Sequence, residues 1–139
     1  MTAIVLGTHG KFSEELLKSA EMIFGKQDNI ATITFLPGED ADELMTKYEV
    51  AIKSLDCDAG VFFMVDLFGG SPFNAASRIA AKSENMDIIT GLNMPMLVEV
   101  FAARENATIE ELTEIALRTG HLGIKSLNET LKNSIEEEL

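Results

Sequence analysis

The chain has 139 residues, 46% of them apolar, with 23 Asp and Glu against 11 Lys and Arg for a net charge of −12. That length and composition fit one folded domain with a substantial core rather than a disordered segment, and the acidity argues against nucleic acid or an anionic membrane as partner while favouring a partner with a basic face. The single cysteine, Cys57, precludes an internal disulfide and suits a reducing compartment, and the apolar run Ala3 to Leu6 is too short for a signal peptide or a membrane span, so a cytoplasmic protein is expected.

Ala3 to Leu6 lacks alternation, the pattern of a strand covered on both faces. Ser13 then reads as the cap of a helix whose inner face is Leu16, Leu17, Ala20, Ile23 and Phe24 and whose stop is Gly25. Ile30 to Leu36 is a β-branched second strand closed by Pro37-Gly38, and Asp40 with Glu43 has capping-box spacing for a second helix carrying Leu44, Tyr48, Ile52 and Leu55. Gly60 to Val65 is a third, wholly apolar strand, followed by a helix capped by Ser71 with Pro72 at its first position. Asp87 to Thr90 is a short fourth strand, and Met96 to Ala103 an apolar helix after Asn93 and Pro95. Thr108 and Glu111 open a further helix for which Gly120 is the expected terminator. His121 to Leu127 reads as a short strand and Glu129 to Leu139 as a polar helix. Strands alternating with helices at this spacing imply an α/β fold: a mainly parallel sheet of about four strands with helices on both faces. The last short strand would be exchanged in a dimer, making 121–139 a C-terminal arm of a single domain, 1–139.

Two of these strands end on residues with chemistry. The first runs into His9, flanked by Gly7 and Gly10, and the third stops at Asp66, before Gly69, Gly70 and Ser71. In a sheet of order 2-1-3-4 the ligand crevice lies beyond the carboxyl ends of strands one and three, which would bring this imidazole and carboxylate together. The helix start after Gly70 is a ready anion site, with free amides and the positive end of the peptide dipoles, although the same glycines also make an efficient turn and cap. Two histidines far apart and no His/Cys cluster leave too few soft ligands for a metal, and neither Ser13 nor Ser71 lies in a nucleophile elbow. His121 lacks both the glycine flanks and a carboxylate.

GTHG at 7 to 10, FLPGE at 35 to 39, VDLFGGSPFNAASR at 65 to 78 and GLNMPMLVE at 91 to 99 resemble the enzyme IIA domain of the mannose-family bacterial phosphotransferase system, over Met1 to about Ser126. The resemblance implies that His9 accepts a phosphoryl group from the phosphocarrier protein HPr and passes it to a histidine of enzyme IIB. It implies that Asp66 holds the ring nitrogen that is not phosphorylated, and that Ser71 and Gly70 face the phosphoryl oxygens without metal or cofactor. A homodimer with a partner-contributed fifth strand is likewise implied, as is membrane association only through the cognate permease. Leu67 and Phe68 would rim the site and touch partners. With no fused IIB domain before Leu139, a separate IIB chain is expected. The transported sugar stays open among mannose, fructose, sorbose, gluconate and amino sugars. Two readings from other classes are a receiver-like domain phosphorylated on Asp66, which would need an acidic Mg²⁺ cluster that Gly7-Thr8-His9-Gly10 does not supply, and a flavodoxin-like module holding a phosphate-bearing ligand at Ser71.

Overall fold

A strand on which every residue is apolar or self-satisfied can lie in the middle of a sheet, and the computed structural model, which describes residues 1–138, places two such strands there. β1 (Ala3–His9) and β3 (Val61–Val65) are parallel neighbours, flanked by β2 (Ile30–Phe35) and β4 (Met86–Ile89) in the order β2-β1-β3-β4. All three pairings are parallel, and the register sets Ile4 beside Phe62, Leu6 beside Met64 and Gly7 beside Val65.

Period-two alternation then divides the core. Ile4, Leu6, Phe62 and Met64 point to one face, covered by α1 (Phe12–Phe24), α4 (Met94–Ala103) and α5 (Ile109–Leu122) through Leu16, Ala20, Leu97, Val100, Leu112 and Ala116. Ala3, Val5, Val61 and Phe63 point to the other, covered by α2 (Ala41–Lys53) and α3 (Ser71–Ala80) through Leu44, Tyr48, Ala75 and Ala76. Asp40 caps α2 by accepting from the Glu43 amide at 2.8 Å, and Thr108 and Glu111 form a reciprocal capping box on α5.

Four local expectations are corrected. Ser13 does not cap α1: it lies buried inside the first turn, donating from Oγ to the Ile33 carbonyl at 2.9 Å, while Thr8 Oγ1 accepts from the Ser13 amide at 2.7 Å. The residue capping α3 is Gly70 and not Ser71, which opens the helix. Gly120 does not end α5, because its missing side chain is what lets the helix approach α4: a Cβ there would meet Met96 Cε at 2.7 Å. The helix runs on to Leu122 with Gly123 as its cap, so residues 121–127 are a helix end, a short link and the start of α6 (Leu127–Glu138) rather than a strand. Within one chain this segment has no strand to pair with, and helical hydrogen bonding wins. Leu139 lies outside the described residues. Among the described residues no helix is long and apolar enough to cross a membrane.

Candidate functional site

β1 carries its chemistry on its last residue because the register makes it overshoot. With Gly7 level with Val65, Asp66 emerges from β3 beside His9, and one carboxylate oxygen meets the histidine twice. Asp66 Oδ2 accepts from the His9 amide at 3.0 Å and lies 3.0 Å from His9 Nδ1. An ionised carboxylate only accepts, so the second contact requires the proton on Nδ1 and leaves the lone pair on Nε2. The His9 side chain is 45% exposed and that of Asp66 19%, which places the free nitrogen at the surface and its orienting partner beneath it. Phe35, level with His9 in the register, meets the imidazole edge-on with ring centres 6.0 Å apart, a second restraint on the ring plane.

After Asp66 the chain makes a tight turn, with the Gly70 amide donating to the Leu67 carbonyl at 3.2 Å and Gly69 at φ +80°, the conformation a type II turn asks of its third residue. This turn sets the start of α3 against the imidazole. A Cβ on Gly70 would lie 2.8 Å from His9 Cε1 and 3.5 Å from Nε2, so the ring occupies the space a side chain would need. Pro72 has no N–H, and the first-turn amides of Ser71 and Phe73 are left without intrahelical partners. Ser71, half-buried, brings a hydroxyl to the first turn of the helix. An anion bonded to Nε2 would therefore sit at a helix N-terminus with donors to spare.

The loop facing this site from β2 is latched from below. Lys47 Nζ donates to the Thr34 carbonyl at 2.9 Å and to Glu39, whose Oε1 also accepts from the Leu36 amide at 2.6 Å. The Lys47 hydrogen bond, followed by that of Leu36, holds the Glu39 carboxyl below its ordinary range. On the other side Leu67 and Phe68 stand out from the turn, Phe68 being 74% exposed and leaning on Phe73 with ring centres 4.6 Å apart. An exposed nucleophile rimmed by apolar side chains suits a group delivered on another protein better than a free small molecule.

Of the residues singled out in the sequence, His9, Asp66 and Gly70 meet in one place and Ser71 opens the adjoining helix. His121 is elsewhere, at the end of α5, its Nδ1 2.6 Å from the Leu117 carbonyl. Sequence reasoning missed Thr8 as a cap for α1 supplied from a strand, and Phe35 as the wall of the imidazole. It also read Tyr48 only as one position of an apolar stripe. The available signal for Tyr48 was the hydroxyl on an otherwise apolar face, a polar atom that had to find a partner.

The family model described as the PTS system fructose IIA component matches residues 3–117. The chain is 50% identical over 126 residues to the mannose-specific EIIAB component of the phosphotransferase system of Escherichia coli K12, covering 90% of this chain and 39% of that one; the chain thus spans about two fifths of the length of that relative. It is 38% identical over 112 residues to the fructose-specific EIIA component of Bacillus subtilis, covering 81% of this chain and 77% of the relative. A crystal structure of a phosphotransferase system EIIA component from Streptococcus agalactiae superposes with a TM-score of 0.84 at 25% identity, over 93% of this chain and 99% of that one. With the paired His9 and Asp66 at the carboxyl ends of adjacent parallel strands, these likenesses are of one kind: the chain belongs to the enzyme IIA components of the mannose, fructose and sorbose family of sugar phosphotransferase systems.

Proposed function

We propose that this chain is a phosphoryl carrier, taking a phosphoryl group from phospho-HPr onto His9 Nε2 and handing it to a histidine of enzyme IIB in the uptake and phosphorylation of a sugar. One observation carries the reading: His9 Nδ1 is held by Asp66 at 3.0 Å, so the nucleophilic lone pair is on the exposed nitrogen. In the transfer that lone pair forms the N–P bond as the bond from phosphorus to the donor breaks, its electron pair leaving with the donor. The ring gains positive charge, and Asp66 stabilises it through a charge-assisted hydrogen bond worth about 1.5–3 kcal/mol. The Ser71 hydroxyl and the first-turn amides of α3 receive the phosphoryl oxygens, stabilising the charge that spreads over them in the transition state. Family membership leaves the flavodoxin-like alternative without support.

HPr and IIB are soluble partners of a cytoplasmic protein in this scheme, docking over Leu67 and Phe68. The assembly is a homodimer exchanging the C-terminal arm; the exposed Leu122, Ile124, Leu127, Leu131 and Ile135 support that part of the reading. His121 is the competing acceptor, but it lies at the C-terminal, negative end of a helix, where a phosphoryl group is disfavoured. Incubation with phosphoenolpyruvate, enzyme I and HPr, followed by mass spectrometry, should show one added phosphoryl group, labile in acid and stable in alkali. A His9→Ala protein should show none, and one added group on that variant would refute the assignment.

A further inference from the structure

Tyr48 continues the buried stripe of α2 after Leu44, yet it ends in a hydroxyl that leucine or phenylalanine would not bring. The residue is 0% exposed, its ring meets Phe63 edge-on at 5.7 Å, and its hydroxyl donates to the Pro72 carbonyl at 2.8 Å. Burying a phenol is unfavourable unless it is bonded, so the bond to Pro72 is the condition for the residue being there at all. The hydroxyl also lies over β1, where the sequence has Gly7. A Cβ at Gly7 would collide with Tyr48 Oη and lie 2.9 Å from Cζ, so this glycine, two residues before His9, is vacant of side chain because the phenol fills the space. One side chain of α2 therefore touches the strand that carries His9 and the first turn of the helix that faces it.

The turn itself is held by the Gly70 amide on the Leu67 carbonyl and by Asn74 Nδ2 on the Gly69 carbonyl at 3.2 Å, but those bonds are internal to the segment. The Tyr48 bridge is the one that ties it to β1 through a buried side chain of another element. The hydrogen bonds of His9 go to Asp66, and the segment between Asp66 and Pro72 turns on Gly69 and Gly70, the two residues least able to hold a backbone in place. Resting on the assignment of His9 as phosphoryl acceptor, we infer that Tyr48 is a positioning residue for the transfer: its hydroxyl fixes the first turn of α3, and with it Gly70 and Ser71, at a set distance from His9. Misplacement of a catalytic arrangement by about 1 Å costs up to about a hundredfold in rate, so a clamp with no contact to the reacting atoms can govern it. Burial first, and the Asp66 charge second, push the phenol proton well away from dissociation, so the donor stays intact wherever the protein works.

Tyr48→Phe keeps the ring and removes only the donor. Single-turnover phosphorylation should be followed with two donors, phospho-HPr and the small molecule phosphoramidate, on wild type, Tyr48→Phe and Arg104→Lys, the last a destabilised control at the opposite end of the sheet. The inference expects the saturating rate of Tyr48→Phe to fall about tenfold with both donors, with the half-saturating concentration of phospho-HPr unchanged because Tyr48 reaches no surface, while Arg104→Lys keeps the wild-type rate. A saturating rate for Tyr48→Phe within twofold of wild type would overturn it. So would an effect confined to half-saturation by phospho-HPr, or an equal slowing in Arg104→Lys, which would mark the loss as general destabilisation. A wild-type protein that takes up no phosphoryl group would remove the His9 assignment instead, and the inference with it.

Discussion

The two ends of β1 are built from the same kind of material, buried or half-buried polar groups, and are finished differently. At the amino end Arg104, 1% exposed, sends its guanidinium into the main chain, donating to the Thr2 carbonyl at 2.8 Å, the Asp28 carbonyl at 2.7 Å and the Asn29 carbonyl at 2.6 Å, with Gln27 Oε1 at 3.3 Å. Burial pulls its pKa down to about 10 against the upward pull of Asp28 and Glu105, and the fork of donors meets a matching set of acceptors. At the carboxyl end the accounting is left open. His9 Nε2 has no protein partner among the described residues, and Asp66 Oδ1 is buried without a hydrogen bond. Each end keeps one buried oxygen without a hydrogen bond, Thr2 Oγ1 at the first and Asp66 Oδ1 at the second. The charged group at the amino end nevertheless has its donors matched and holds the strands in register, whereas at the carboxyl end the unmatched atoms lie beside an exposed ring nitrogen and leave room for a group that is not yet there.

If that contrast is right, breaking the amino end should remove stability and leave chemistry. Arg104→Met removes the guanidinium donors from the Thr2, Asp28 and Asn29 carbonyls, and an unfolding curve should show a loss of about 3–5 kcal/mol. The protein that remains folded at low temperature should still take up phosphoryl groups at the wild-type rate, which single-turnover kinetics would check. Slowed transfer in the folded fraction would show that the two ends are coupled.

A smaller effect sharpens the boundary of the open end. The Glu39 carboxyl is held below its ordinary range by Lys47 and by the Leu36 amide, so its contribution is in place above the ordinary carboxylate range and is lost as pH falls through the lower folded value. Hydrogen exchange at the Leu36 amide, 2.6 Å from Glu39 Oε1, should therefore keep its protection through the ordinary carboxylate range and lose it in more acid solution, while the amides of β1 keep theirs. Unchanged protection of Leu36 in acid would mean that Lys47 alone positions the loop.

How much of this the chain displays in its sequence depends on the range of each interaction. Strand and helix order as far as α5, the β2-β1-β3-β4 arrangement and the meeting of His9 with Asp66 all follow from local period and a topology rule, and all are found. The failures are long-range or ambiguous. Thr8 caps α1 from the preceding strand, so the capping spacing pointed to Ser13 instead. Gly120 looks like a stop because glycine serves both as a helix terminator and as a helix contact, and only the position of Met96 tells them apart. The run from His121 to Leu127 is too short for its period to separate strand from helix. Tyr48 fits its stripe so well that the hydroxyl, the one atom with a specific destination, drew no attention.

The most direct test of the open end is to remove the charge of Asp66 and keep its shape. Asp66→Asn still accepts the His9 amide and should fold with a nearly unchanged unfolding curve, but it loses the negative charge and can present its amide nitrogen to Nδ1, imposing the wrong tautomer. In single-turnover transfer from phospho-HPr the rate should fall by at least about tenfold, equivalent to about 1.4 kcal/mol of transition-state stabilisation. A rate within twofold of wild type would contradict the account and leave Asp66 as a structural end to its strand.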